Sequence, residues 1–148
     1  MAIAVREIKF DELKQLLELY QYLNADDPEL NIDDKLVKLW TEILEDPKHF
    51  CLVIEEENKI IASCNLIIIN NLTRGARPYA LIENVVTHQN FRKRGYATAI
   101  LKHAIGIAKE KNCYKVMLMT SRKDESTLKF YEEAGFNRGE KTGFIIRL

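Results

Sequence analysis

The segment Val85 to Thr98, VVTHQNFRKRGYAT, constrains this chain more than any other. It carries an apolar strand, Ala80 to Thr87, into a long helix expected from about Gly95 to Lys111. Ala97, Ile100, Leu101, Ala104, Ile105 and Ala108 form one apolar stripe along that helix. A helix N-terminus presents unpaired backbone N–H groups and a partial positive charge, which suits an anion. Gly95 lets such an anion approach the main chain, and the small Ala97 keeps the approach open. Arg92, Lys93 and Arg94 add charge-assisted hydrogen bonds. The physical reading is a pyrophosphate cradle. From these residues alone, a solvated basic turn before an ordinary helix fits equally well.

The rest of the chain supplies a frame for that turn. Ile3 to Ile8 reads as a strand, and Asp11 opens a helix with Leu13, Leu16, Leu17 and Tyr20 on one face. Asp26-Asp27-Pro28 breaks it, and a second amphipathic helix carries Leu36, Leu39, Trp40, Ile43 and Leu44 up to Pro47. A hairpin follows, Phe50 to Ile54 and Ile60 to Ile69 around a charged turn. Asn70 to Pro78 is a polar loop, and Tyr114 to Thr120 is short enough for a buried strand. Asp124 opens a short helix that stops at Gly135, and Phe136 to Leu148 reads as one or two strands. The order β-α-α-β-β-β-α-β-α-β describes an α/β (α+β by some schemes) mixed sheet with helices on both faces. The strand–helix–strand unit from Ala80 to Thr120 joins two parallel strands.

Composition narrows the function. Lys plus Arg and Asp plus Glu number 22 each, so no net positive field favours nucleic acid or an anionic membrane. No run nears the ~20 apolar residues of a membrane span, and a cytoplasmic location is expected. Cys51, Cys64 and Cys113 are too scattered for a disulfide framework or a metal pair and read as small core residues. His88 and His103 stand at no metal or triad spacing, and no metal is expected. With 148 residues, 47% of them apolar, and no linker or repeat, residues 1–148 are expected to form one domain.

Arg92-Lys93-Arg94-Gly95-Tyr96-Ala97 resembles the R/Q-x-x-G-x-G/A loop of the GNAT acetyltransferase superfamily. Upstream, Ile82-Glu83-Asn84-Val85-Val86-Thr87 resembles that family's central strand. Downstream, Phe130-Tyr131-Glu132-Glu133-Ala134-Gly135-Phe136 resembles its F-Y-x-x-x-G-F signature. Two motifs in order, with a strand and a helix between them, are a specific signal, and the element order extends the resemblance over the whole chain.

The resemblance implies a mostly antiparallel central sheet of six to seven strands and an acetyl-CoA-dependent transfer of acetyl to the primary amine of a small molecule. Val85, Val86 and Thr87 would form the splayed strand end that pairs with pantetheine. The amides of Arg92, Lys93, Arg94, Gly95, Tyr96, Ala97 and Thr98 would hold the pyrophosphate. Asp124 and Ser126 would stand near the pantetheine and adenosine end, although many relatives carry Asn where this chain has Asp124. Gln89 replaces a common Pro. Tyr131 would protonate the thiolate, and a backbone N–H near Val85 or Val86 would stabilise the oxyanion. Glu83, a carboxylate in an apolar strand, is the candidate base through a water, its pKa expected to rise toward neutrality; a side chain facing solvent or an internal ion pair fits the sequence equally well. Arg74 and Arg77 flank Gly75 in the polar loop; they read more readily as a solvated loop, with a grip on an anionic group of the acceptor as the functional alternative. The stretch through Asn112-Cys113-Tyr114-Lys115 is similar to glucosamine-phosphate N-acetyltransferases, and a homodimer is compatible with the resemblance. A protein acetyltransferase and a non-catalytic acyl-CoA sensor are the alternatives.

Overall fold

The computed structural model describes residues 2–148. One sheet of five strands runs in the order β1-β2-β3-β4-β5, with β1 Arg6–Glu7, β2 His49–Glu56, β3 Lys59–Ile69, β4 Tyr79–Thr87 and β5 Val116–Leu118. The first four are antiparallel neighbours, and β5 lies parallel to β4, as the strand–helix–strand unit requires. The β2–β3 hairpin turns on Glu57 and Asn58, both with positive φ, the backbone of a tight two-residue turn.

Helices α1 (Leu13–Tyr20) and α2 (Asp34–Glu45) cover one face. Leu13, Leu16, Leu19 and Trp40 pack there on Cys51, Val53, Ile60 and Val86. On the other face, α4 (Tyr96–Glu110) lays Ile100, Leu101, Ala104 and Ala108 on Leu52, Ile54, Cys64, Leu66 and Ile82. Phe130, Tyr131 and Phe136, from α5 (Glu125–Glu133) and just past it, pack against this second core. The central strands β2 and β3 are buried on both faces, which is why they read as continuous apolar runs. The remaining helix, α3 (Thr73–Ala76), is a single turn inside the polar loop.

Three expectations are corrected. The sheet has five strands, not six to seven, because residues 137–148 join no ladder. The first strand shortens from Ile3–Ile8 to Arg6–Glu7, and the fifth from Tyr114–Thr120 to Val116–Leu118. In each case only the residues that meet a neighbouring strand form the ladder. The loop before β4 contains a left-handed turn, with Arg74, Gly75 and Ala76 all at positive φ. All three cysteines are free, Cys51 and Cys64 buried and Cys113 half-buried.

Candidate active site

The site begins at an irregularity in β4. In the β3–β4 ladder Ser63 pairs with Val86 and Asn65 pairs with Glu83, so Cys64 alone faces Asn84 and Val85. This is a β-bulge, and it bends the bulged strand. Asn84 sits at φ 53, a conformation Asn tolerates better than other non-glycine residues. On the opposite side, β4 pairs with β5 only from Ala80 to Ile82. Beyond Ile82 the β4 edge that would face β5 has no ladder partner among the described residues. The structure thus brings Val85, Val86 and Thr87 to an open edge, and it adds Asn84, which sequence reasoning missed. The available signal was an Asn in the middle of an apolar strand.

The chain leaves β4 through a short 3-10 turn, Gln89–Phe91, and enters α4. His88 caps that turn, its Nδ1 accepting from the Asn90 N–H at 3.1 Å, while Nε2 lies 3.1 Å from the Tyr22 hydroxyl. Gly95 is the N-cap of α4 at φ 85, and no side chain caps the helix. The amides of Tyr96, Ala97 and Thr98 therefore point out of the first turn without an intrahelical acceptor. Arg92 donates from Nε to the Thr87 carbonyl at 3.1 Å, pinning the loop to the end of β4. The Arg94 guanidinium lies 5.4 Å from the Phe91 ring centre. Arg92 to Gly95 are exposed.

Tyr131 approaches from the α4–α5 face. It is half-buried within the core that contains Cys64, the residue facing the bulge. Burial, and secondarily the nearby Cys64, pushes its hydroxyl up from the ordinary tyrosine value. Its helix closes in a Schellman motif, Gly135 at φ 106, with Phe136 N–H donating to the Tyr131 carbonyl at 3.1 Å. The F-Y-x-x-x-G-F signature thus fixes the end of the helix that carries Tyr131.

The other face of the bulge is polar. Glu83 pairs with Asn65, and cross-strand partners share a face. Asn65 is buried, its Nδ2 donating to the Tyr20 hydroxyl at 3.2 Å and its Oδ1 lying 3.3 Å from His49 Nε2. Burial pushes the Tyr20 hydroxyl up to about 12, while hydrogen bonds with Asn65 and Asn84 oppose that rise. Tyr20, His49, Asn65, Glu83 and Asn84 form one polar cluster beneath α1. Tyr20 had read as an apolar stripe residue, and its polar tip gave no periodic signal.

Two groups of candidates have partners within the chain. Asp124 is the N-cap of α5, accepting from the Thr127 N–H at 3.1 Å, Ser126 Oγ at 2.7 Å and Thr127 Oγ1 at 2.8 Å. These hydrogen bonds, joined by Arg122 Nε, hold its carboxyl well below the usual range. Asp124 and Ser126 are thus engaged with each other. Arg77 donates from Nε to the Asn112 carbonyl at 3.1 Å and from Nη2 to the Cys113 carbonyl at 2.9 Å, and Arg74 lies 6.0 Å from the Tyr114 ring centre. Both stand before Tyr79 at the start of β4, whereas the bulge and the cradle stand at its other end. The structure does not bring them to the remaining candidates.

Residues 13–136 match the acetyltransferase (GNAT) family. The chain belongs to the GNAT acetyltransferase family. Its fold superposes on the solved "Putative acetyltransferase from Agrobacterium tumefaciens str. C58" with a TM-score of 0.92 and 46% identity, covering 99% of this chain and 100% of that one. A glucosamine 6-phosphate N-acetyltransferase of Trypanosoma brucei brucei is 36% identical over 94 residues, 64% of this chain. The alignment spans 60% of that relative's length. The glucosamine-6-phosphate N-acetyltransferase of Arabidopsis thaliana shares the fold at a TM-score of 0.84 and 23% identity, over 100% of this chain and 99% of that one. Among the described residues, no cluster of His, Cys, Asp and Glu could hold a metal ion, and no helix is long and apolar enough to cross a membrane.

Proposed function

We propose that this GNAT protein, as one domain over residues 1–148, transfers an acetyl group directly from acetyl-CoA to the primary amine of a small, polar acceptor. The observation that carries the reading is the uncapped N-terminus of α4 beside the open edge of β4. The amides of Tyr96, Ala97 and Thr98 suit phosphate oxygens, with Arg92, Lys93 and Arg94 around them. The exposed main chain after Ile82 suits an amide-bearing arm that adds as a strand.

The chemistry divides between the faces of the sheet. Tyr131, on the α4–α5 face, keeps its proton through neutral pH and gives it to the departing thiolate. A main-chain N–H at the bulge, near Val85, stabilises the oxyanion. The amine approaches from the α1 face, where Glu83 takes its proton directly or through water. Tyr20, His49, Asn65 and Asn84 offer hydrogen bonds to a hydroxylated acceptor. An amino sugar or its phosphate fits this polar floor, and relatives carry glucosamine 6-phosphate N-acetyltransferase as their name. We place the protein in the cytoplasm.

The test is a thiol-release assay with acetyl-CoA and a panel of amino sugars, amino sugar phosphates, aminoglycosides and lysine peptides. Calorimetry of acetyl-CoA binding runs beside it. Turnover is expected with a small amine, and Gly95→Glu should weaken acetyl-CoA binding at least about tenfold, roughly 1.4 kcal/mol. Peptide-only turnover would move the reading to protein acetylation. Binding without turnover of any amine would move it to an acyl-CoA sensor.

A further inference from the structure

His88 is the first residue beyond β4, and its two ring nitrogens hold two separate parts of the chain. We infer that it is a positioning residue, coupling the turn in front of α4 to residues 23–33, between α1 and α2. The inference rests on the acetyl-CoA reading above. It adds that cofactor binding at α4 orders the acceptor-side segment through the Tyr22–His88 pair.

The state of the ring follows from its partners. A backbone N–H only donates, so Nδ1, 3.1 Å from the Asn90 main-chain nitrogen, carries a lone pair. The neutral imidazole therefore has its proton on Nε2, which donates to the Tyr22 hydroxyl at 3.1 Å. The Tyr22 ring also packs on the imidazole, their centres 4.6 Å apart. The imidazole in turn meets Phe91 edge to face at 5.6 Å. Phe91 is half-buried against the α4 core, and the Arg94 guanidinium lies over its ring at 5.4 Å. Tyr22, His88, Phe91 and Arg94 thus form an unbroken run of contacts from the end of α1 to the start of α4.

The far end of this run is held by little else. Residues 21–33 form no helix or strand, and residues 24–33 are all exposed. Among the described residues, the Tyr22 hydroxyl makes the one side-chain hydrogen bond from residues 21–32 to a distant element. A solvated segment of this length keeps much conformational freedom, which a single hydrogen bond restricts only in part. Its order therefore depends on how firmly His88 is held. Tyr22 stands two residues beyond Tyr20, the α1 end of the polar cluster, so the segment borders the acceptor side.

The near end responds to an anion. Arg94 is exposed and forms no ion pair among the described residues. A pyrophosphate at the α4 amides gives it a partner, which fixes the guanidinium over Phe91 and, through Phe91, the imidazole. Tyr22 and the segment behind it then lose freedom before the acceptor arrives. The coupling is mutual, so an acceptor that orders residues 23–33 tightens the hold on acetyl-CoA.

Hydrogen-exchange mass spectrometry with coenzyme A as the probe tests this on the full chain, Tyr22→Phe and His88→Asn, beside calorimetry of the same samples. Tyr22→Phe keeps the stacked ring, and His88→Asn keeps a capping oxygen for the Asn90 N–H. In the parent, saturating coenzyme A should slow exchange at residues 96–98. It should also slow residues 23–33 by roughly fivefold, the worth of one hydrogen bond. In both variants the slowing at 96–98 should remain and that at 23–33 should vanish. Their coenzyme A affinity should shift by no more than about fivefold, because the coupling is reciprocal. Slowing confined to 96–98 in the parent overturns the proposal. So does slowing at 23–33 that persists in both variants, the mark of a tie that is only structural. No binding to the parent by calorimetry overturns the acetyl-CoA reading itself and this proposal with it, which keeps the two failures apart.

Discussion

The Tyr20 hydroxyl accepts a hydrogen bond from the Asn65 side chain at 3.2 Å, tying the last turn of α1 to β3 directly opposite Glu83. The pair joins a helix boundary to the bulged region of the sheet. It also leaves polar atoms on the face from which the amine is proposed to approach.

Tyr20→Phe should therefore do two things. Loss of the hydroxyl leaves the buried Asn65 amide without one partner, so stability should fall by about 1 kcal/mol. The acceptor's KM should rise roughly two- to tenfold, the worth of one hydrogen bond, while acetyl-CoA affinity stays level. Melting curves, steady-state kinetics and calorimetry read the three quantities separately. A drop in stability with unchanged KM would make the cluster purely structural.

Arg77 should behave as a tie between loops. Its guanidinium donates to two carbonyls in the turn between α4 and β5. An Arg74→Ala/Arg77→Ala variant should melt lower, by roughly 2–4 °C, with acceptor KM and acetyl-CoA affinity unchanged. A selective KM increase for anionic acceptors, with neutral ones unaffected, would restore the pair to acceptor recognition.

Much of this arrangement was legible in the chain because local chemistry and tertiary role coincide. Gly95 stands at positive φ as the N-cap of α4, and Asp124 caps α5 as Asp at that position does. Gly135 closes α5 in the left-handed conformation. What was not legible depends on neighbours distant in sequence. The bulge at Asn84 arises from the register between β3 and β4, which periodicity within one strand does not encode. Arg77 read as a solvated loop residue or an anion ligand, and its acceptors, carbonyls 35 and 36 residues away, have no signal in the loop itself. Residues 143–148 have strand composition but join no ladder among the described residues.

The Asp124 cap sets a pH dependence. Its carboxyl is held below the ordinary 3.8, so the folded state favours the ionised form. That stabilisation is fully present above 3.8 and is lost as pH falls from there toward the lower folded value. Asp124→Ala should lower the melting temperature by roughly 2–4 °C at pH 7. The gap to the parent should narrow once the pH drops below 3.8. Asp124→Asn keeps a capping oxygen and should recover much of the loss. A gap that is constant from neutral to acid pH would contradict the charge-assisted cap.

Tyr131 is proposed to act on the chemical step. Tyr131→Phe retains the ring that packs against the core around Cys64 and removes only the hydroxyl. General acid catalysis contributes about 10²–10⁴-fold, so kcat should fall within that range, with acetyl-CoA affinity and melting temperature little changed. The raised pKa adds a second signature. Burial keeps the phenol protonated beyond the ordinary value of 10.0, so loss of the acid should not limit wild-type kcat below that pH. If Tyr131 merely packs, the Phe variant keeps wild-type kcat under conditions where chemistry, not product release, limits turnover. A kcat loss matched by an equal loss of acetyl-CoA affinity would instead make the hydroxyl a binding group. Rate, affinity and melting temperature measured on one preparation separate these outcomes, because an acid acts on the first alone.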